Sequence, residues 1–291
     1  MRAAGKVLMQ SAIALFFALA TLLPSLANAY DILVLQSSRS VGYAEVLKSF
    51  RLASKASQRV IVLSDYAEVD AVRIVREDRP RLVMAIGDAA VAATGKILKT
   101  PVIAAMTLAV TPRANLTGVT VFAQPRHFCE LLQKMKVKRA GIIHNPNKTG
   151  RYLDNVREAA GRAGIKLEVR MVETPRETIV QLASLAGKVD ALWMLPDTTA
   201  VTRETTEAYF RFGQQQNVPV ISFASSYLGL GAAAVVEIDV SAIGKQAGVI
   251  ADKLMDGEDI GSLPFAAPAV TTVKSNVSVL DRLNLSNNLS E

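Results

Sequence analysis

The sequence predicts an α/β fold built as two Rossmann-like lobes, with a ligand cleft between them and a multi-crossover hinge. Three observations carry this. Val/Ile/Leu-rich runs of strand length alternate with amphipathic stretches of helical period, the signature of a parallel sheet covered by helices. The same rhythm starts again after Pro125. A third, shorter strand–helix piece then follows, with a final extended segment, so the chain has material to cross between the lobes more than once.

Element by element, DILVLQ, RVIVLSD, LVMAIGD and PVIAAMT read as strands, and NLTGVTVF as a further extended piece. Their near-continuous apolar character suits strands buried on both faces. Between them VGYAEVLKSFRLAS, DAVRIVRED and the small-residue run AAVAATGKIL read as helices. The second set runs helix PRHFCELLQKMKV, strand RAGIIHN, helix RYLDNVREAAGRAG and strand KLEVRMVE. Thr174, Pro175 and Glu177 then announce a helix start, with a Thr cap, Pro at the first helical position and Glu three residues after the cap. Helix RETIVQLASLAG, strand ALWMLP, helix TRETTEAYFRFGQQQ and strand VPVISF complete this set. GLGAAAVVEIDV, the helix SAIGKQAGVIADKLMDG and the extended PFAAPAVTTVKSNVSVL end the chain. The expected division is 30–121 with 232–262 as the first lobe, 122–231 with 263–285 as the second, and 286–291 as a tail.

Residues 1–29 are set apart from both lobes. Arg2 and Lys6 precede the apolar AIALFFALATLL, and Pro24 leads to small residues at Ala27 and Ala29, the pattern of a secretory signal peptide cut before Tyr30. A membrane anchor would need an apolar run of roughly 20 residues, and Pro24 ends this one too soon. No Cys follows the cut to take a lipid. An exported, unanchored protein is retained by a cell only inside an outer membrane, so the expected location is periplasmic, with no membrane insertion after cleavage. A monomer is expected.

Composition narrows the function. The formal net charge is +7, and loss of Arg2 and Lys6 leaves +5. That excess is scattered, and aromatic residues are only 5% of the chain, which speaks against a stacking and phosphate-tracking role on nucleic acid. The single cysteine, Cys129, sits among apolar neighbours and reads as a small buried hydrophobe, and no intrachain disulfide is available. Only two histidines occur, His127 and His144, without metal-ligand spacing to each other or to Cys129. Nucleophile-elbow, phosphate-loop and dinucleotide motifs are absent. Neither catalysis, a metal nor a cofactor is expected. Asp88 and Asp197 could form an acid/base pair, but helix capping explains both.

Parallel α/β sheets bind ligands beyond the carboxyl ends of their strands, so candidate contacts lie there. In the first lobe these are Ser37 and Ser38, Gly87 and Asp88, and Met106 and Thr107. In the second they are Asn145 to Lys148, Pro196 to Thr199, and Phe223 to Ser226. Each is also a usual cap or turn former. Tyr43, Tyr152, Phe223 and Tyr227 could stack on a solute or simply pack at a lobe edge. His144 is expected to touch the cleft.

The order of NLTGV, ELLQKM, RAGIIHNP, SLAGKVDALWMLPDTTAV, VPVISF and GAAAVVEIDVSAIGKQAGVIADKLMDGE resembles the periplasmic substrate-binding components of ABC transporters, in the tryptophan- and tyrosine-binding-like branch. The resemblance runs from about Asp31 to Leu283. It implies a type I periplasmic-binding-protein fold that closes on a small, amino-acid-like solute and presents it to a permease with its ATPase. It places Asp197, Thr198 and Thr199 at the cleft, where the carboxylate would meet a ligand amine, together with Gly87, Asn145 and Phe223 to Ser225. The chain departs from the family at Asp88, where Thr or Ser with Pro is common. A negative charge at that helix start disfavours a solute carboxylate beside it, so an amine-bearing or neutral solute is expected. Asp197→Asn would then weaken binding and leave apo stability nearly unchanged. An alternative keeps the same cleft but docks the closed form on a signalling receptor.

Overall fold

The computed structural model describes residues 30–108 and 111–285. The signal-peptide and tail readings therefore lie outside the described residues. The first lobe is built from β1 (Ile32–Gln36), α1 (Val41–Ala53), β2 (Gln58–Val62), α2 (Ala71–Asp78), β3 (Leu82–Ile86), α3 (Asp88–Ala93), β4 (Val102–Ala105) and β5 (Leu116–Val119). Its sheet runs β2-β1-β3-β4-β5 with every pairing parallel. β1 and β3 are buried along their whole length, which is why their sequences are apolar without alternation. Ser40 caps α1 by accepting the Tyr43 N–H, and Asp70 caps α2 by accepting that of Arg73.

The second lobe repeats the plan. It contains α4 (Pro125–Lys134), β6 (Arg139–His144), α5 (Pro146–Arg162), β7 (Lys166–Met171), α6 (Pro175–Ser184), β8 (Ala191–Trp193), α7 (Arg203–Gln216) and β9 (Val220–Ser222). β10 (Ala234–Ile238) joins this sheet, α8 (Val240–Met255) leaves it, and β11 (Thr271–Ser275) and α9 (Val277–Arg282) return. The strand order is β11-β10-β9-β8-β6-β7, parallel except for β11 at one edge. Trp193 is fully buried and stacks on Phe128 at 4.7 Å, fixing α4 to the sheet.

Three expectations are corrected. The segment from 232 was assigned to the first lobe, but β10 pairs with β9 and β11 in the second sheet; the crossing comes after Ile238. The terminal segment is not extended throughout, because Asn276 accepts the Val279 N–H and starts α9, which buries Leu280. At α6 the Thr174 hydroxyl makes no cap: it donates to Glu177 Oε1 at 2.8 Å, while Glu177 Oε2 accepts the Glu173 N–H at 2.9 Å.

The helix after the second crossing, α8, packs on α1. A Cβ at Gly244 would collide with the Val46 carbonyl, and one at Gly248 would lie 2.5 Å from Ala53 Cβ, so these glycines permit a close helix pair. The crossings are tied side by side. Thr120 N donates to the Ala266 carbonyl (3.0 Å), Ala266 N to Gly118 (2.9 Å), and Asp239 N to Val270 (3.0 Å). The hinge is thus a hydrogen-bonded bundle of three strands of chain rather than loose linkers.

Candidate interlobe binding site

In both lobes strand order reverses at a pair of neighbouring strands, β1/β3 in the first and β6/β8 in the second. Such switch points leave a crevice at the carboxyl ends of the strands. In this protein its own side chains bridge each one.

At β1/β3 the Ser37 hydroxyl donates to the Ile86 carbonyl (3.0 Å) and accepts the Ala90 N–H (2.9 Å). Gly87 turns the chain with φ +90°, and a Cβ there would lie 2.6 Å from both Ser37 Oγ and Tyr43 Oη. Tyr43 is half-buried, and burial together with the Asp88 carboxylate raises its phenol pKa. The Ser38 carbonyl accepts from Gln36 Nε2 at 2.7 Å. Asp88 is exposed, and its Oδ1 accepts the Thr107 hydroxyl (2.6 Å) and the Leu108 N–H (2.9 Å), tying the end of β3 to that of β4. The departure at Asp88 therefore has a structural use.

At β6/β8 the bridge is Asp197, which is 1% exposed. Its Oδ1 accepts the Thr199 and Ala200 N–H groups at 2.9 and 3.0 Å; its Oδ2 accepts the Asn145 N–H at 2.7 Å and the Thr149 hydroxyl at 2.8 Å. Asn145 Nδ2 donates to Thr199 Oγ1 (3.1 Å), and Asn145 Oδ1 caps α5 through the Asn147 N–H. Four donors occupy a group with about four lone-pair sites, so the carboxylate faces the protein and not a ligand amine. That corrects the role assigned to Asp197 and removes the carboxylate pair on which an amine-bearing solute was expected. Thr198 stands exposed at the tip of the turn. The turn does not lead straight into a helix either: α7 begins at Arg203, capped by Thr202 and Thr205.

His144 is 2% exposed, with Nδ1 3.2 Å from Thr149 Oγ1, so it does not touch the cleft. Burial lowers its pKa, against the pull of Asp197, and keeps the ring neutral. Cys129 is buried, and burial pushes its thiol up to about 11, the inert state expected of a packing residue.

Open volume lies where the crossings meet the strand ends. An apolar pocket of about 300 Å³ is lined by Met106 of the first lobe, by Phe128, Tyr152, Pro196, Phe223 and Val236 of the second, and by Phe122, Ala123, Ile238 and Val240 beside the crossings. Tyr152 stacks on Phe122 with centroids 4.3 Å apart and donates to the Ala123 carbonyl at 2.8 Å. Phe223 meets Tyr227 edge-on at 5.2 Å. Glu237 also borders this pocket, but its carboxylate accepts the Ser225 N–H (2.9 Å), the Ser225 hydroxyl (2.6 Å) and Lys274 Nζ (2.7 Å). A second cavity of about 720 Å³ shares Leu108, Phe122, Ala123 and Tyr152 with the first and is lined further by Thr107, Arg113, Arg126, Lys148 and Arg151.

The expected site residues therefore divide. Thr107, Tyr152 and Phe223 line open volume. Ser37, Gly87, Asp88, Asn145, Asp197, Thr199 and Ser225 are engaged in holding the strand ends. Phe122, Phe128, Glu237 and the cations Arg113, Arg126 and Arg151 were missed. One signal existed for Phe122: a large aromatic side chain in VFAQP, at a crossing between lobes, is out of place in a mere connector.

Two α/β lobes of matching topology, three tied crossings and an apolar interlobe pocket define a solute-binding fold. Residues 52–289 match the family described as ABC transporter substrate binding protein, and the chain belongs to that family, whose members bind substrates rather than transform them. A tyrosine-binding protein of Clostridioides difficile (strain R20291) is 22% identical over 178 residues, 60% of this chain; the chain spans about half (51%) of that relative's length. Among solved structures, an ABC domain in complex with L-Trp from Streptococcus pneumonia has a TM-score of 0.63 at 18% identity, covering 87% of this chain and 94% of that one. A ligand-free, open substrate binding protein with adhesive properties from Clostridium difficile has a TM-score of 0.65 at 21% identity, covering 88% and 95%. The likeness in fold extends to ribose operon repressors, which places both lobes in the type I periplasmic-binding-protein class.

Proposed function

We propose that the protein captures a small solute with an apolar body between its lobes and delivers it to an ABC importer. The observation that carries this reading is the 300 Å³ pocket, because its walls come from both lobes and from the crossings. A ligand filling it touches elements that move relative to one another, so it binds the closed arrangement better and shifts the population toward it. Phe122, Tyr152 and Phe223 supply flat apolar surface for a ring or aliphatic body. Relatives that bind tyrosine and L-Trp are consistent with a solute of that size. Export through a cleaved signal peptide into a periplasm, and docking on a permease with its ATPase, belong to the same reading.

Mass spectrometry of small molecules released from natively purified protein tests it, followed by thermal denaturation with the compound identified. A retained solute that raises the melting temperature of the native protein, and fails to do so in Phe223→Asp, supports the reading. An empty protein whose melting temperature is unmoved by broad amino-acid and organic-acid panels counts against it.

A further inference from the structure

We infer that the solute carries a net negative charge, held at the cationic mouth of the cleft while its apolar body fills the inner pocket; this rests on the interlobe binding reading above. The 720 Å³ cavity adjoins the 300 Å³ pocket, with Leu108, Phe122, Ala123 and Tyr152 lining both. Four of its lining cations have no carboxylate partner among the described residues. Arg113, in the first lobe, is fixed by neutral groups only, donating to the Thr94 carbonyl at 2.6 Å and to the Thr94 hydroxyl at 2.9 Å. Arg126, Lys148 and Arg151 come from the second lobe. The ion pairs on that face join Arg162 to Glu158 and Arg157 to Asp154, and neither reaches these three.

The acids that border the two cavities are already used. Glu158 is paired with Arg162, and Glu237 with Lys274. Asp197 is buried among internal donors, while the exposed Asp88, which accepts from the cavity-lining Thr107 and Leu108, leaves one acid at that edge against four unpaired cations. The cavity walls therefore carry uncompensated positive charge contributed by both lobes. Like charges lining one cavity repel one another. An anionic group placed among them reverses the sign of that interaction and draws the lobes together. Lys148 also stands in the first turn of α5, which holds no acid. A cation there is opposed by the helix dipole, so its position is not one that stabilises the fold.

Two dyes with the same aromatic body test the inference: anilinonaphthalene sulfonate, an anion, and phenylnaphthylamine, its uncharged counterpart. Fluorescence titration of the full chain is expected to show one saturable site that takes the anion roughly tenfold more tightly, with the preference shrinking in high salt. In the triple variant Arg126→Gln, Lys148→Gln, Arg151→Gln the preference is expected to vanish while phenylnaphthylamine affinity is retained, and the apo melting temperature is expected to hold or rise. Equal affinity for the two dyes in the native protein overturns the anionic assignment and leaves the cleft reading intact. An anion preference that survives the triple variant overturns it too. Failure of both dyes to bind, or binding of both unchanged in Phe223→Asp, strikes at the cleft reading itself.

Discussion

The Asp197 carboxylate accepts the Asn145 N–H at 2.7 Å, joining the carboxyl ends of two neighbouring parallel strands, β6 and β8. The same carboxylate holds the Thr149 hydroxyl and the N–H groups of Thr199 and Ala200. Asp197→Asn replaces one acceptor oxygen with a donor, so at least one buried donor loses its partner, at a cost of about 1–3 kcal/mol. The expected result is a melting temperature several degrees lower without ligand, and a solute affinity that changes little once folding is allowed for. Denaturation and calorimetric titration of the variant check both halves; unchanged apo stability with lost binding would return Asp197 to direct ligand contact.

Gly87→Ala tests the corresponding bridge in the first lobe. Its φ of +90° is unfavourable for alanine, and the new Cβ would meet Ser37 Oγ and Tyr43 Oη at 2.6 Å. A loss of about 1–3 kcal/mol is expected. Adding Tyr43→Phe removes the Oη clash but leaves Ser37 Oγ at 2.6 Å, the ring Cζ at 2.7 Å and the backbone strain, so denaturation of the double variant should show a small recovery only.

Much of this architecture was legible from periodicity. β1 and β3 are buried on both faces, so their sequences are unbroken apolar runs, and the helices between them repeat at helical spacing. The site was less legible because one residue type serves two purposes. Asp, Asn, Ser and Thr at strand ends look alike whether they cap the chain or meet a solute, and only the three-dimensional donor set around Asp197 distinguishes them. β10 was misplaced because its sequence is that of a strand in either sheet; the partner that decides is β9, and pairing has no local signal. Arg113, Arg126 and Arg151 were missed because scattered cations become a cluster only after folding.

Acid stability is expected to depend on Glu237. Burial raises its carboxyl pKa, but the Lys274 ammonium and the Ser225 hydroxyl and N–H outweigh that and hold it at about 2. A folded-state pKa below the ordinary 4.5 contributes stability that is present above pH 4.5 and lost as pH falls toward 2. Glu237→Gln is expected to flatten that part of the stability profile and leave the rest of the acid limb in place. Urea denaturation across this range measures it, and a parallel downward offset at every pH would assign the residue a packing role instead.

Gly244→Ala probes the α1–α8 contact, since its Cβ meets the Val46 carbonyl. A backbone oxygen cannot swing aside as a side chain can, so the helices must part, costing about 1–3 kcal/mol. Unfolding followed separately in each lobe should show the loss concentrated in the first. If the second lobe is destabilised equally, the two lobes unfold as one unit.

Because β10 belongs to the second sheet and α8, two residues later, packs on α1, the first lobe lacks one of its helices until nearly the whole chain has been made. Domains usually fold from the amino terminus as synthesis proceeds. Here the earlier lobe waits, with the apolar face of α1 uncovered, while the first five strands of the later one, β6 to β10, are made. A nascent chain of this kind exposes a sticky surface for most of its synthesis, and the half-built lobe is open to collapse on the wrong partner until α8 arrives.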